Sequence, residues 1–473
     1  MLRASFALVC AALSLAACKQ PESATAQPTA ATAAAASTPT LDPDRLAEDL
    51  RVLADDGWAG RFTKDLEHLG LAADFIAKSH QAAGLKPVGE HYRVDFEYPA
   101  GKEPGNAFYL WVERGGEATQ LPESDAVPAT FGARRAVVGA PVWVAAASTD
   151  GVEGRAVITP APSGEFTDRV KALADAGATA AFFVTTAAPA PTDTVPDGPI
   201  SAAWITADVA RAKLGVPDGD APARATEVAD IRISLARSEI DKTASAPNVV
   251  AWIEGTEHPE EIVLLGAHYD HIGTKEFGTF CRGPQEDSDP EDQICNGADD
   301  NASGTALLMN IARAIGSSGY RPKRTLVFAS FAAEELGLHG SRALAESPPD
   351  AAPFSNGKVV AMLNMDMVGR LGADGLDVGG EKTSPAWPDI IERHTPASLT
   401  VKHPAAVTGR SDHAHWFRQG IPVLFFFTGL HDDYHRTSDE LDTLNMAGIS
   451  DIGTLVLGVA LELADGAPIP RAG

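Results

Sequence analysis

Histidine and acidic side chains recur in the second half of the sequence, in five short motifs that could together bind metal ions. The motifs are GAHYDHIG (266–273), NGADDNASG (296–304), AAEELGLHGS (332–341), NMDMVGR (364–370) and DDYHRTSDE (432–440). The side chains concerned are His268, Asp270, Asp299, Asp300, Glu334, Glu335, Asp366, Tyr434 and His435. Two imidazoles and three carboxylates suit a pair of borderline divalent cations, and zinc is the first choice.

Such a metal pair would support hydrolysis at a carbonyl group. Two cations roughly 3.5–4 Å apart lower the pKa of a shared water and stabilise the oxyanion that forms when this water attacks a carbonyl. The reaction also needs a base that is not itself a ligand. Glu334 and Glu335 are adjacent on a predicted tight turn and point in different directions, so one can bind metal while the other acts as base. Asp270 is interpreted as the partner that fixes the tautomer of a ligating histidine.

Other polar motifs have plainer interpretations. The SDH sequence at 411–413 suggests part of a serine triad, but it lacks the GxSxG elbow. The remaining histidines near the motifs are expected at the surface, behind the ligands or facing the substrate, and they are His271, His339, His413, His415 and His431. A single HxD or EE pair is common on ordinary surfaces, so the predicted site depends on the combination.

The motifs follow short apolar runs that are typical of buried strands. These runs lie at 261–265, 324–331, 358–363 and 421–427, and a helix is expected from Asn301 to about Ile315. Almost continuous apolar runs favour strands that are buried on both faces of a largely parallel sheet with helical crossovers. We therefore predict an α/β fold with a mixed, largely parallel sheet sandwiched by helices. The carboxyl ends of its strands would gather the polar residues in one crevice.

The N-terminal region has the composition of an export signal followed by a tether. Arg3 and the apolar run 6–17 form a signal peptide at 1–17, and LAAC (15–18) matches a bacterial lipobox with Cys18 as the lipidated residue. A plain signal peptide cut elsewhere is the alternative. Residues 18–40, rich in Ala, Thr, Pro and Ser, are a flexible tether. The chain is therefore expected in the bacterial cell envelope, in the periplasm with a lipid anchor in the outer membrane, or released.

Amino-acid composition and net charge indicate the domain division and limit the possible partners. We predict a first segment at 41–119, a separate small, mainly-β domain at 120–238 and a domain at 239–473 that carries the motifs. The net charge of −26 argues against a nucleic-acid partner, because phosphates would be repelled. Cys281 and Cys295 are an even pair in an oxidising compartment, which predicts one disulfide. A thiolate metal site there would lack a CxxC motif.

The motifs resemble those of the co-catalytic dizinc peptidase family that includes bacterial leucyl aminopeptidases, aminopeptidase S and glutamate carboxypeptidase. The resemblance covers 245–465 and the segment from 41 to about 100. It implies that His268 and Asp366 bind one metal, that Glu335 and His435 bind the other, and that Asp300, four residues before Gly304, bridges them. It further implies that Glu334 is the general base, that Tyr434 stabilises the tetrahedral intermediate and that Arg410 holds the substrate carbonyl. The 120–238 block resembles a protease-associated domain, which in relatives shapes substrate access.

The function expected from this resemblance is that of a two-zinc aminopeptidase acting on peptides, although other divalent transition metals could replace zinc. A carboxypeptidase or dipeptidase is the first alternative, and Arg282, Arg410 and Arg436 could supply its basic pocket. A glutaminyl cyclase with one zinc and a binding protein without catalysis are the others. The acidic insert that contains Cys281 and Cys295 departs from the family pattern, so residue preference stays open. The sequence does not indicate the oligomeric state.

Overall fold

A computed structural model describes residues 37–132, 136–187, 195–277, 280–283, 291–404 and 409–472. The predicted signal peptide 1–17, the lipidation site Cys18 and most of the tether 18–40 lie outside the described residues.

The described helices are short to medium in length. They are α1 (Pro43–Leu53), α2 (Leu66–Ala82), α3 (Phe166–Asp175), α4 (Ala207–Ala212), α5 (Gly304–Ser317), α6 (His339–Glu346), α7 (Trp387–His394), α8 (Ala414–Arg418) and α9 (Met446–Asp465). The side chain of Asp42 caps α1 by accepting the backbone N–H groups of Asp44 and Arg45, and Pro43 follows as the first helical residue. This helix start is favourable because proline has no N–H to leave unpaired.

The strands include two that are unusually long. They are β1 (Lys86–Pro87), β2 (Arg93–Arg114), β3 (Glu117–Gln120), β4 (Val127–Thr130), β5 (Ala136–Gly139), β6 (Pro141–Trp143), β7 (Ala156–Pro160), β8 (Ala180–Thr185), β9 (Ser201–Thr206), β10 (Thr226–Glu227), β11 (Ile231–Ile253), β12 (His258–His268), β13 (Arg324–Phe331), β14 (Lys358–Met365), β15 (Leu376–Gly379), β16 (Val401–Lys402) and β17 (Val423–Phe427).

The larger sheet confirms the predicted mixed α/β architecture. Its strand order is β16-β15-β17-β14-β12-β13-β11-β2-β3, and β1 and β5 also pair with β11. The four neighbours β17, β14, β12 and β13 are mutually parallel, whereas β11, β2 and β3 pair antiparallel. The metal-ligand motifs follow these four parallel strands, and β15 and β16 form a further parallel pair at the edge of the sheet.

Helices cover both faces of this parallel region. Along β12, Val263 and Leu265 belong to the core cluster formed with α1, α2, α5 and α9. Ile262 and Leu264 belong to the cluster on the other face, which includes Trp416 of α8. Since successive side chains of a strand point to opposite faces, this alternation shows the predicted sandwich.

Helix α9 is the one described helix that is long and apolar enough to cross a membrane by length and composition. Its residues Ile449, Ile452 and Val456 are buried in the main core cluster. Burial against the sheet accounts for this apolar composition.

A second sheet lies within residues 127–227, in the order β10-β6-β7-β8-β9-β4. Helices α3 and α4 pack on its opposite faces. The segment 136–143 forms two short strands rather than one, because the chain changes sheets at Ala140: β5 pairs with β11 of the larger sheet and β6 pairs with β7 of the smaller one. Pro141 stands at the break, and it has no N–H to donate to a continuing ladder.

Candidate metal centre

Three strand ends deliver ligand-type residues to one edge of the larger sheet. His268 is the last residue of β12 and lies level with Phe331, the last residue of β13. Glu334 and Glu335 follow β13. Asp366 follows β14, in which Met365 pairs with Phe426 of β17. Because these strands are parallel, their carboxyl ends meet, and the residues that follow them are brought together.

The turn that carries Asp300 is irregular, and the helix predicted to start at Asn301 starts at Gly304. The backbone angles of Asp300 and Asn301 are not helical. Side chains from elsewhere hold this backbone in place: the buried Asp439 accepts the N–H groups of Asp299 and Asp300, each over 3.1 Å. These contacts outweigh the local preference for a helix and leave the Asp300 carboxylate facing the strand ends.

Four contacts between predicted ligands have the spacing that a tetrahedral metal site requires. Nε2 of His268 lies 3.3 Å from Oδ1 of Asp366 and 3.4 Å from Oδ1 of Asp300. Nε2 of His435 lies 3.3 Å from Oδ2 of Asp300 and 3.2 Å from Oε2 of Glu335. Two ligand atoms that are each about 2.0–2.1 Å from a tetrahedral zinc ion are about 3.3 Å apart. Each oxygen of Asp300 therefore belongs to a different ligand group.

The surroundings of Nε2 of His435 show whether these residues fit a cation. This nitrogen is buried and makes no hydrogen bond within the described residues, although two carboxylate oxygens lie within 3.3 Å. A cation between the three atoms would satisfy them all. The residues present thus fit two zinc ions, one beside His268 and Asp366, the other beside Glu335 and His435, with Asp300 shared.

The negative charge around the two imidazoles also favours a bound cation. Burial alone would lower the pKa of His435, but the carboxylates of Asp300 and Glu335 raise it to about 10. Burial would also lower the pKa of His268, and the carboxylates of Glu334, Asp366 and Asp300 together raise it well above its usual value. Both imidazoles therefore attract positive charge, which a proton or a metal ion can supply.

Proximity alone would group the ligands differently. His268, Glu334 and Asp366 form one cluster of suitable donor atoms, and His271, Asp300 and Glu335 form another. However, Nδ1 of His271 lies only 2.7 Å from Oε1 of Glu335, which is a hydrogen-bond distance and too short for two ligands of one tetrahedral ion. His271 therefore contacts the ligand Glu335 by a hydrogen bond and is not itself a ligand, which is one of the roles expected of this histidine.

Glu334 lies beside the ligands in a strongly perturbed environment. Burial raises the pKa of Glu334 well above its usual value, and the carboxylates of Glu335, Asp366 and Asp412 add to the shift. Its backbone N–H donates to Oδ1 of Asp270 over 3.2 Å, which fixes the start of the turn. By contrast, the pKa of Glu335 is lowered, because its contacts with His271 and His435 outweigh burial. Adjacent glutamates with opposite shifts suit one proton carrier and one ligand.

Asp270 contacts His268 differently from the prediction. Nδ1 of His268 lies 3.1 Å from the backbone oxygen of Asp270 and 3.8 Å from its carboxylate. The tautomer is therefore fixed by the carbonyl. The carboxylate instead accepts hydrogen bonds from the Thr63 hydroxyl over 2.7 Å and from the Glu334 N–H. Asp270 is therefore the partner of the ligating His268, as predicted, but through its carbonyl, while its carboxylate is turned toward Thr63.

A cavity of about 360 Å³ opens onto the predicted ligands and lies between charged and apolar walls. Tyr434 and Arg410 both line it. The Tyr434 ring stacks on His435 with 3.8 Å between centroids. Burial and then the nearby carboxylates raise the pKa of Tyr434, so its hydroxyl stays protonated and can donate a hydrogen bond.

The N-terminal segment contributes support that sequence reasoning missed. The buried Arg61 guanidinium donates to the backbone oxygens of Tyr269, Asn296 and Gly297, over 2.9, 2.7 and 3.1 Å. It thereby ties together the chain after β12 and the turn before Asp300. Thr63 donates to Asp270. Nothing in RFT (61–63) marks these roles, because the contacts reach across more than 200 residues. The spacing HxxH at 268–271 was the signal available for His271.

The comparisons with known proteins match the segment that carries this site. Residues 248–460 match the family described as Peptidase family M28. A probable aminopeptidase of Saccharomyces cerevisiae is 29% identical over 229 residues, which cover 46% of this chain and 57% of the relative. A probable leucine aminopeptidase of Arthroderma otae is 30% identical over 246 residues, which cover 49% and 62%. The chain thus matches less than two thirds of the length of these curated relatives.

The solved structures extend the likeness of fold to most of the chain. An aminopeptidase from Aneurinibacillus sp. strain AM-1 has a TM-score of 0.50 and 20% identity, and the match covers 92% of this chain and 97% of that one. A zinc aminopeptidase from Bacillus subtilis has a TM-score of 0.50 and 16% identity, with coverage of 90% and 96%. These matches agree with the α/β sheet and flanking helices described above.

Proposed function

We propose that the chain is an aminopeptidase that holds two zinc ions and hydrolyses the first peptide bond of its substrates. The observation that carries the proposal is the position of Asp300, whose two oxygens lie 3.4 Å from His268 and 3.3 Å from His435. The match of residues 248–460 to peptidase family M28, and relatives named aminopeptidase or leucine aminopeptidase, support it.

Two bound zinc ions would polarise the substrate carbonyl and make a water more acidic. Glu334 takes the proton from the attacking water and later gives it to the nitrogen of the leaving amine, so that the carboxyl group ends as it began. The same carboxyl group must accept and then donate a proton, and burial, which raises the pKa of Glu334 well above its usual value, suits that cycle. The Tyr434 hydroxyl donates a hydrogen bond to the oxygen that becomes negative in the tetrahedral intermediate.

The charges around the cavity favour a substrate with a free amine. The carboxylates of Asp300, Glu334, Asp366 and Asp377 line it, and Arg410 is the cation that lines it among the described residues. An α-ammonium group would be attracted to the carboxylates left after two zinc ions are bound. The apolar part of the wall suits the first side chain of a peptide, and its residues are Met367, Phe425, Phe427 and Leu430.

A carboxypeptidase is the second candidate, and Arg410 is the observation in its favour. Its side chain is exposed and lines the cavity, and no ion pair with it occurs among the described residues. It could therefore bind a substrate carboxylate.

A substrate panel separates these candidates. Purified protein loaded with zinc is incubated with aminoacyl-nitroanilides, with free peptides and with the same peptides blocked at either end. An aminopeptidase releases nitroaniline and fails only on peptides blocked at the N-terminus. Failure only on peptides amidated at the C-terminus would replace the proposal with a carboxypeptidase. Formation of pyroglutamate from an N-terminal glutamine, with one zinc ion per chain, would indicate a glutaminyl cyclase.

We also propose that the chain is anchored in the cell envelope through a lipid on Cys18. The apolar run 6–17 followed by LAAC supports this proposal. Expression of the full sequence with labelled palmitate should label the wild type, and a Cys18→Ser variant should stay unlabelled and leave the membrane fraction. A labelled Cys18→Ser variant would refute the assignment of the anchor to this residue.

A further inference from the structure

His435 differs from the other predicted ligands in how its backbone is held. His268 ends a strand, Asp366 follows one directly and Glu335 comes four residues after β13. His435 comes eight residues after the end of β17, and its side chain is 19% exposed, more than that of any other predicted ligand. Its φ of 58° lies in the left-handed region, which a residue with a Cβ adopts only when its surroundings enforce it.

The acidic insert supplies contacts to this turn. The N–H of Arg282 donates to the backbone oxygen of His435 over 3.0 Å, and the backbone oxygen of Arg282 accepts the N–H of Thr437 over 3.1 Å. The Arg282 guanidinium donates to the backbone oxygen of Tyr434. In return, the Arg436 guanidinium donates to the backbone oxygen of Gly283 over 3.0 Å. Residues 282–283 and the turn 434–437 therefore each donate hydrogen bonds to the other.

The disulfide fixes where Arg282 lies. Cys281 is joined to Cys295, and both side chains are buried beside Ile272. The N–H of Cys295 donates to the backbone oxygen of Gly273 over 2.9 Å. Gly273 lies only five residues beyond His268, so the disulfide ties Arg282 to the chain that leaves the metal centre.

We propose that Arg282, fixed by the Cys281–Cys295 disulfide, is a positioning residue that holds the Tyr434-His435 turn in the conformation needed to bind the second zinc ion. The inference rests on the proposed function, because it assigns His435 to a zinc site. It gives the insert a role at one of the two zinc sites and none at the site of His268 and Asp366.

The test separates this role from a general contribution to stability. The variants are the double substitution Cys281→Ser and Cys295→Ser, Arg282→Met, and Arg282→Lys, whose ammonium group can still donate to the Tyr434 carbonyl. Lys275→Met is the matched control, because Lys275 donates to the backbone oxygen of Asp292 on the same segment and has no hydrogen bond with the 434–437 turn among the described contacts. Each protein is stripped of metal and titrated with zinc against a competing chelator.

We expect the serine double variant to bind one of its two zinc ions about 10- to 100-fold more weakly, with the affinity for the other unchanged. Arg282→Met should shift the same affinity by a smaller factor, because the two backbone hydrogen bonds remain, and Arg282→Lys should restore it. Lys275→Met should leave both affinities unchanged. Equal weakening of both zinc ions, or no change in either, would overturn the proposal.

Amide hydrogen exchange on the metal-free protein provides a readout that needs no zinc. The Thr437 N–H donates to Arg282, whereas the Tyr434 N–H donates to His431 within the turn itself. Loss of the disulfide should accelerate exchange at Thr437 in the metal-free state, and unchanged exchange there would refute the inference. If the wild type with its disulfide intact binds fewer than two zinc ions, the proposed function fails instead, whatever the exchange shows.

Discussion

Nδ1 of His271 lies 2.7 Å from Oε1 of Glu335, so one imidazole occupies one oxygen of this carboxylate and leaves Oε2 to face His435. Because the pKa of Glu335 is lowered, the carboxylate is ionised and His271 is the donor. Hydrogen bonds of this kind orient ligands and tune their affinity for metal.

Replacement of His271 should weaken the binding of one zinc ion without removing a ligand. His271→Ala is expected to lower the affinity for the zinc ion at Glu335 by about 10- to 100-fold, since the carboxylate becomes free to rotate. His271→Asn, which keeps an N–H donor, should lose less. Competition with a chelator measures both. Loss of both zinc ions in His271→Ala would show that His271 is itself a ligand.

Glu334→Gln should separate metal binding from catalysis. The amide cannot accept the proton of the attacking water, so kcat is expected to fall by about 10²- to 10⁴-fold. The zinc content should stay at two per chain, because Glu334 is not assigned as a ligand. Atomic absorption and nitroanilide kinetics on the same preparation test this. Retained turnover would mean that another group is the base.

The adjacent residues Asp299 and Asp300 offer a matched pair of substitutions. Asp300→Asn should weaken both zinc ions, because each oxygen of Asp300 lies in a different ligand group. Asp299→Asn should keep both, because an amide oxygen can still accept the N–H of Gly369 that Oδ1 of Asp299 accepts. Zinc stoichiometry after dialysis distinguishes them. The reverse result would assign the bridge to Asp299.

The stability of the metal-free protein should fall as the pH rises. The pKa of His435 is about 10 in the folded state and 6.5 in an unpaired histidine. The folded state therefore binds the extra proton more tightly, and this contribution is fully present below pH 6.5 and is lost as the pH approaches about 10. Zinc binding requires deprotonated ligands and should strengthen over the same interval. The difference in Tm between zinc-loaded and metal-free protein should widen from pH 6.5 to 10, and a constant difference would contradict the assignment of His435.

Arg61 should matter for stability rather than for any single catalytic step. Arg61→Met leaves the carbonyls of Tyr269, Asn296 and Gly297 without a donor in a buried site. The expected loss in the free energy of unfolding is about 3 kcal/mol or more. Urea denaturation of the metal-free protein measures it. A variant as stable as the wild type would show that water replaces the guanidinium.

The sequence predicted the parts of the site that depend on strand ends. Apolar runs followed at once by His268 or Asp366 indicate both a buried strand and what lies at its carboxyl end, because direction and burial are local properties. The structure places these residues, together with Asp300, Glu335 and His435, within the spacing of two ligand groups.

The remaining features depend on contacts between segments that are distant in sequence. The late start of α5 follows from Asp439, which accepts two N–H groups about 140 residues away. The hydrogen bond from Thr63 draws the Asp270 carboxylate away from the ring of His268, and this contact spans 207 residues. Local propensity contains no information about such partners, so neither feature could be predicted from one sequence.

The long ribbon of β2 and β11 has a consequence for engineering and for evolution by recombination. Phe96 and Ala246 belong to the core of the larger sheet, whereas Leu110 and Leu235 belong to a core shared with the smaller one. Between these two levels of the ribbon, Glu103 of β2 pairs with Ile240 of β11. The chain therefore runs toward the smaller sheet and comes back from it at adjacent positions. A two-residue turn joining the two strands here would remove the chain between them and leave the core of the larger sheet in place. We therefore expect the segment that contains the smaller sheet to be removable, and the shortened protein would show whether that sheet affects substrate choice.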